Sequence, residues 1–275
     1  MLEFLTDWSV IIYSIFVSEY FLSGVNALVA TGAGAIAGGL VVHRRAERDR
    51  LHREYIRELE ALNVITALLF DIVSTYISLK NQHVAGICER YYKNRATVEQ
   101  KLGRSKEIEV DFELTRLEKP FSNPEKIINI IIDGTKISDR TLSAISTFFR
   151  CKLSLDNTID RRNIWIEEFR KSNDHDSFKC FRYFGFPYEN NSVDNEFRDC
   201  IDALGASTDD CIAFPMIAIN DLGKYGDDLL RKFKGSFGDV DFKLKKISFE
   251  NIENPEILPS MTDYEDWLKA FKSSS

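Results

Sequence analysis

Residues Ser23 to Val42 form a run of twenty without one charged side chain, and His43-Arg44-Arg45 follows at once. At the helical rise, twenty residues cover roughly 30 Å, the thickness of a bilayer's hydrocarbon core. The run is apolar but made of small residues. In water its glycines would each disfavour a helix by roughly 1 kcal/mol. In lipid the backbone has no water to bond, so the helix forms regardless. The reading is a transmembrane helix over 23–42. The rival is a buried core helix, which would ordinarily be shorter and richer in Leu and Phe.

Charge sets the expected orientation. No Lys or Arg precedes Arg44, and the first forty-two residues carry only Glu3, Asp7 and Glu19. Arg44, Arg45, Arg48, Arg50 and Arg53 then follow, interleaved with Glu47, Asp49 and Glu54. The positive-inside rule counts Lys and Arg near the span ends, and it predicts an outside N-terminus with the C-terminal part cytoplasmic, at the inner (plasma) membrane. The arginines are read as a basic cluster at the membrane surface, facing anionic headgroups. A cleaved signal peptide lacks its basic n-region here, although Ala33-Gly34-Ala35 has the form of a cleavage site. Trp8 to Leu22 is apolar except for Glu19, with Trp8, Tyr13 and Tyr20 of the type that sits at headgroup level. It is read as an extracytoplasmic or interfacial segment or an extension of the span, with a second span, forming a hairpin, as the rival.

Asn26, Ala30, Gly34 and Gly38 recur every fourth residue, flanked by Thr31, Ala35 and Gly39. Positions four apart share a helix face. One stripe of the span therefore has little side-chain volume and includes a Gly-x-x-x-Gly pair, the pattern through which membrane helices approach closely. The expected partners are the lipid bilayer and either a second copy of the span or another membrane helix. Asn26 and Thr31 are the candidates to face water inside such an assembly.

Beyond the span the chain holds 36 basic and 40 acidic side chains, and their mixed distribution excludes the basic face of a nucleic-acid binder. Arg44 to Lys80 contains neither Gly nor Pro. Leu51, Tyr55, Leu59, Leu62, Ile65, Leu69, Ile72, Tyr76 and Leu79 fall at spacings of three and four, which predicts a stalk helix running to about Leu102 with a bend at Gly86. Residues 103–137 read as a connector. Its alternating Ile108, Val110, Phe112 and Leu114 hint at an extended stretch, and it carries a short helix, Lys126 to Asp133, capped by Asn123 and Pro124. Residues 138–235 read as a helical bundle: one helix from Ser138-Asp139 to Lys171 with a break near Asp156-Asn157, an aromatic loop over 172–193, and a helix pair, Asp194–Leu204 and Thr208–Phe233, with Pro215 kinking the second. The tail, 236–275, reads as loops, a short strand Asp241–Phe249 and a final helix Asp263–Phe271. The expected fold is mainly α: an N-terminal single-pass transmembrane helix continuing into a long stalk helix and a cytoplasmic antiparallel helical bundle.

Catalytic and metal signatures do not stand out. Cys88, Cys151, Cys180, Cys200 and Cys211 are scattered with no Cys-x-x-Cys, and the four histidines do not cluster, so reduced structural thiols and no metal or cofactor are expected. Asp174-His175-Asp176 reads as a surface turn. Asp209-Asp210, Asp227-Asp228 and Asp239/Asp241 lack the EF-hand spacing. Gly235-Ser236-Phe237-Gly238 lacks the lysine of a phosphate loop. The chain is read as a non-enzyme: a membrane-anchored scaffold or regulator that binds a cytosolic protein at the inner membrane. The alternative is an oligomerising, membrane-disrupting effector of a toxin or antiviral defence type, assembled through the small-residue face.

Overall fold

A computed structural model describes residues 19–102, 110–122, 124–188, 191–239, 241–249 and 254–271. The protein is mainly helical, and no described residue lies in a strand. The elements are α1 (Glu19–Leu79), a π-turn (Lys80–Val84), α2 (Ala85–Lys101), α3 (Glu125–Gly134), α4 (Asp139–Lys171), α5 (Asp176–Phe184), α6 (Glu196–Phe237), short 3-10 turns (Pro255–Ile257 and Met261–Tyr264) and α7 (Glu265–Lys269). The chain divides into two units, Met1–Ile56 and Arg57–Ser275.

In the second unit, α1 buries the face its spacing predicts. Leu59, Leu62, Ile65, Leu69, Ile72, Val73, Tyr76 and Leu79 are all buried. Val64, which widens that stripe in the sequence, is exposed, and so is Leu51 at its start. The stalk helix continues to Lys101, and the bend expected at Gly86 is a π-turn just before it.

Two helices cross this face. Arg140 pairs with Asp221, Cys151 with Asp210 and Arg161 with Glu196, so α4 and α6 run antiparallel. Glu58 accepts from Tyr225 Oη at 2.5 Å, Lys80 Nζ lies 2.5 Å from Asp209 and Cys88 faces the Ile201 carbonyl, so α6 is also antiparallel to α1 and α2. Cys211 to Ile219 are buried without interruption, the mark of a helix with neighbours on every side.

Several expectations need correction. The two helices expected over 194–233 are one, α6, with Pro215 inside it. Helix-breaking propensity is outweighed by tertiary packing here: Cys211 to Ile219, the stretch around Pro215, are buried without interruption. The aromatic loop over 172–193 contains the helix α5. It ends at Gly185 in the left-handed region (φ +65°), where Phe186 N–H donates to the Phe181 carbonyl at 2.9 Å. No break occurs at Asp156-Asn157. Asp241–Phe249 is not a strand; Phe242, Leu244, Ile247 and Phe249 are half-buried, with Lys245 and Lys246 exposed between them. The extended reading of 108–114 is a loop over its described part. Ser138 caps α4 as expected, accepting from Thr141 N–H at 3.2 Å. The expected cap Asn123, and residues 1–18 with Trp8 and Tyr13, lie outside the described residues.

Leu69 is fully buried and Val64 is 47% exposed, five residues apart on one helix. Leu69→Ala should lower unfolding stability by about 2–5 kcal/mol, whereas Val64→Ala should stay within about 0.5 kcal/mol. Chemical denaturation of the detergent-solubilised chain, followed by circular dichroism, checks the contrast.

Candidate functional site

In the first unit, Asn26, Ala30, Gly34 and Gly38, with Thr31, Ala35 and Gly39, all lie within α1. Their fourfold spacing on one uninterrupted helix places them along one side. Asn26, Thr31, Gly38 and Gly39 are exposed, while the side-chain surroundings of Ala30, Gly34 and Ala35 lie outside the described residues. A Cβ built at Gly38 or Gly39 meets no atom within 4 Å. Thr31 Oγ1 donates to the Ala27 carbonyl at 2.6 Å, so its hydroxyl is satisfied inside its own helix. Leu40, Val41 and Val42 stand 53%, 66% and 68% exposed. Arg44, Arg45, Arg48, Arg50 and Arg53 follow on the same helix, all exposed, and Arg50 lies 3.5 Å from Glu54.

One described helical run, Gly38–Lys101, is long and apolar enough to cross a membrane. Its most apolar stretch, with mean hydropathy 1.7, is 44% buried inside the protein. That stretch contains Leu62, Ile65, Leu69, Ile72 and Tyr76, the residues facing the core of the second unit. Less than half of that stretch is covered by protein, and Val64 and Phe70 within it are exposed.

The second unit has a polar centre that sequence reasoning missed. Arg162 of α4 is completely buried. Its guanidinium donates to the Thr115 carbonyl at 2.7 Å and the Glu113 carbonyl at 3.5 Å, and it lies 5.8 Å from the Phe197 ring centroid. Trp165 and Tyr183 pack on that same ring at 4.3 and 4.5 Å. Around Arg162, side chains replace a sheet as partners for the connector's backbone. Asn163 bonds both the Leu117 carbonyl and N–H, Arg170 the Leu114 carbonyl and Asn94 the Asp111 carbonyl. Glu113 N–H donates to Tyr183 Oη at 3.1 Å, and its carboxylate takes Arg90 at 2.8 Å. Burial opposes ionisation of Glu113, but hydrogen bonds from Thr115 and Arg90 outweigh it and hold its pKa below the usual range. One signal was present in the sequence: an arginine on the apolar face of α4, three residues before Trp165.

The remaining candidates are structural. Burial pushes the Cys88 and Cys180 thiols up to about 11; burial and the neighbouring Asp210 push Cys151 up to about 12. Burial also raises Cys200 and Cys211. All five cysteines are free, and a raised thiol is a poor nucleophile at neutral pH. His175 lies at the start of α5, with Nδ1 3.1 Å from Ser177 Oγ, and Asp174 accepts from Ser172 and pairs with Arg182. Asp210 accepts from Tyr264, and Asp227 pairs with Lys246. Among the described residues no group of three or more His, Cys, Asp or Glu is placed to hold a metal ion. A groove of about 300 Å³ on α4 is lined by Asp160, Arg161, Ile164, Trp165, Glu168 and Glu196, and Arg161 and Glu196 are bonded across it. No protein-family model, curated protein or solved structure matches this chain.

Two outcomes follow. Arg162→Ala removes the partner of two connector carbonyls and leaves a cavity, so it should cost about 3 kcal/mol in denaturation, with Arg162→Lys losing less because it keeps one donor in reach. The folded thiols hold their protons more tightly than the unfolded ones, so stability should be fully present below pH 9 and fall as pH rises toward 11–12. At pH 8, iodoacetamide should label the native chain about a hundredfold more slowly than the urea-unfolded chain, since two pKa steps separate their thiolate populations.

Proposed function

We propose that this chain is a membrane-anchored helical protein whose cytoplasmic unit binds a protein partner at the inner membrane, as a scaffold or regulator. One observation carries the reading. Leu40, Val41 and Val42 are more than half exposed on α1 and are followed directly by five exposed arginines. Exposed apolar side chains next to a basic collar fit a helix leaving hydrocarbon for an anionic surface. The uncharged run before them has the length a bilayer requires. The second unit then carries its own core, with α1, α4 and α6 forming a helical bundle that displays a mixed-charge surface to the cytosol.

The oligomerising-effector reading draws on the small-residue face. Gly38 and Gly39 leave open space where a second helix backbone could approach. Stoichiometry separates the two readings, because a pore requires a closed homo-oligomer and a tether does not.

The chain should remain in the membrane pellet through an alkaline carbonate wash, and protease should reach residues 57–275 only in inverted vesicles. Recovery in the supernatant would refute the anchor. Native mass spectrometry in mild detergent then reads assembly. A discrete homo-oligomer lost on Gly34→Leu or Gly38→Leu would favour the effector, and a species unchanged by both would favour the tether.

A further inference from the structure

Residues 241–249 occupy the groove between α1 and α6 as a bound peptide would. Asn63 Nδ2 donates to the Lys243 carbonyl at 3.0 Å, and Lys245 N–H donates to Asn63 Oδ1 at 2.8 Å. One carboxamide thus performs the task of a neighbouring strand and reads only backbone. Between those bonds Leu244 seats in a notch: a Cβ built on Gly226 would come within 3.2 Å of both Leu244 δ-carbons and 3.6 Å of a Leu62 δ-carbon. Lys246 pairs with Asp227 at 3.0 Å, and Phe249 lies 6.3 Å from the Phe70 ring. None of the strap's residues is fully buried. It leaves α6 at Gly238, whose φ of +89° and open Cβ position suit a bend.

We propose that this groove also accepts the 241–249 strap of a second copy, so that two chains exchange straps. The groove recognises an extended backbone carrying one inserted leucine and a lysine two residues on, and every copy carries that ligand at the end of a glycine bend. Residues 254–271 travel with the strap, because Tyr264 and Trp267 also pack on α6, and the contacts given up in one chain are then remade in the other. It needs no part of the membrane segment and stands apart from the anchoring proposed above.

The test pairs two full-length variants in the same detergent. Gly226→Val fills the notch and frees its own strap, whereas Leu244→Asp cannot seat its strap and leaves its groove empty. Tagged Gly226→Val should capture untagged Leu244→Asp at about one to one. That should exceed at least tenfold the capture between two chains that both carry Leu244→Asp, which measures association through any other surface. Adding Asn63→Ala to the groove-open chain should lower capture about tenfold, as expected for two lost hydrogen bonds. Asn63→Lys, at a half-exposed position, serves as the groove-blocked chain if Gly226→Val does not fold, as judged by a cooperative melt. Capture no greater than in the doubly strapless control, or capture indifferent to Asn63→Ala, overturns the proposal.

Discussion

The second unit is organised around a buried positive charge. Moving a guanidinium out of water is costly unless its donors find acceptors, and Arg162 meets that requirement in part: its two terminal nitrogens reach backbone carbonyls of the connector and it faces the Phe197 ring, while Nε is buried without a hydrogen-bond partner. The consequence runs outward. Once Glu113 and Thr115 are held by Arg162, Glu113 N–H reaches Tyr183, and Tyr91 Oη reaches the Tyr183 carbonyl. The ring cluster that joins α2, α4, α5 and α6 is thereby fixed to a segment without secondary structure of its own. A loop so close to the core is tolerable because side chains satisfy its polar groups one by one.

Periodicity carried the sequence reading where an element has one wet face. The α1 stripe from Leu59 to Leu79 is buried as its spacing implied, and Ser138 begins α4 as its cap chemistry implied. Reading failed where both faces are dry or where pairing is long-range. In α6, Gly205 and Pro215 look like breaks, yet packing on both sides keeps the helix whole. In α5, Phe178, Phe181 and Tyr183 carry an amphipathic pattern too short to outweigh the flanking polar residues. Residues 241–249 read as a strand, but the partner of the backbone there is the Asn63 side chain, 180 residues from Lys243, and no local signal announces a side chain acting as a strand.

The buried Arg162 and the exposed collar show why residue type alone does not locate a site. Both are arginines on helices next to apolar neighbours. Arg162 faces the Phe197 ring and contacts the backbone of a connector, so its charge stabilises internal architecture. Arg44, Arg45, Arg48, Arg50 and Arg53 lie on an exposed helix surface, where an ion pair such as Arg50–Glu54 contributes little, about 0.5 kcal/mol. Their charge is directed outward and fits a surface larger than one carboxylate.

Two apolar stretches lie along α1. The Leu62–Leu79 stretch is richer in Leu, Ile and Val than the Gly-Ala run before Arg44, but that run carries no charge and is no less hydropathic. The Leu62–Leu79 stretch is also partly buried in the second unit. Asp71 and the hydroxyls of Thr66, Ser74 and Thr75 lie in it, with Ser74 and Thr75 bonded back to their own helix, and its apolar face meets α4 and α6. A helix whose apolar stripe is covered by protein gains little from lipid, whereas Leu40, Val41 and Val42 have no protein cover to lose. The small residues of Ser23–Val42 would let a second backbone approach it.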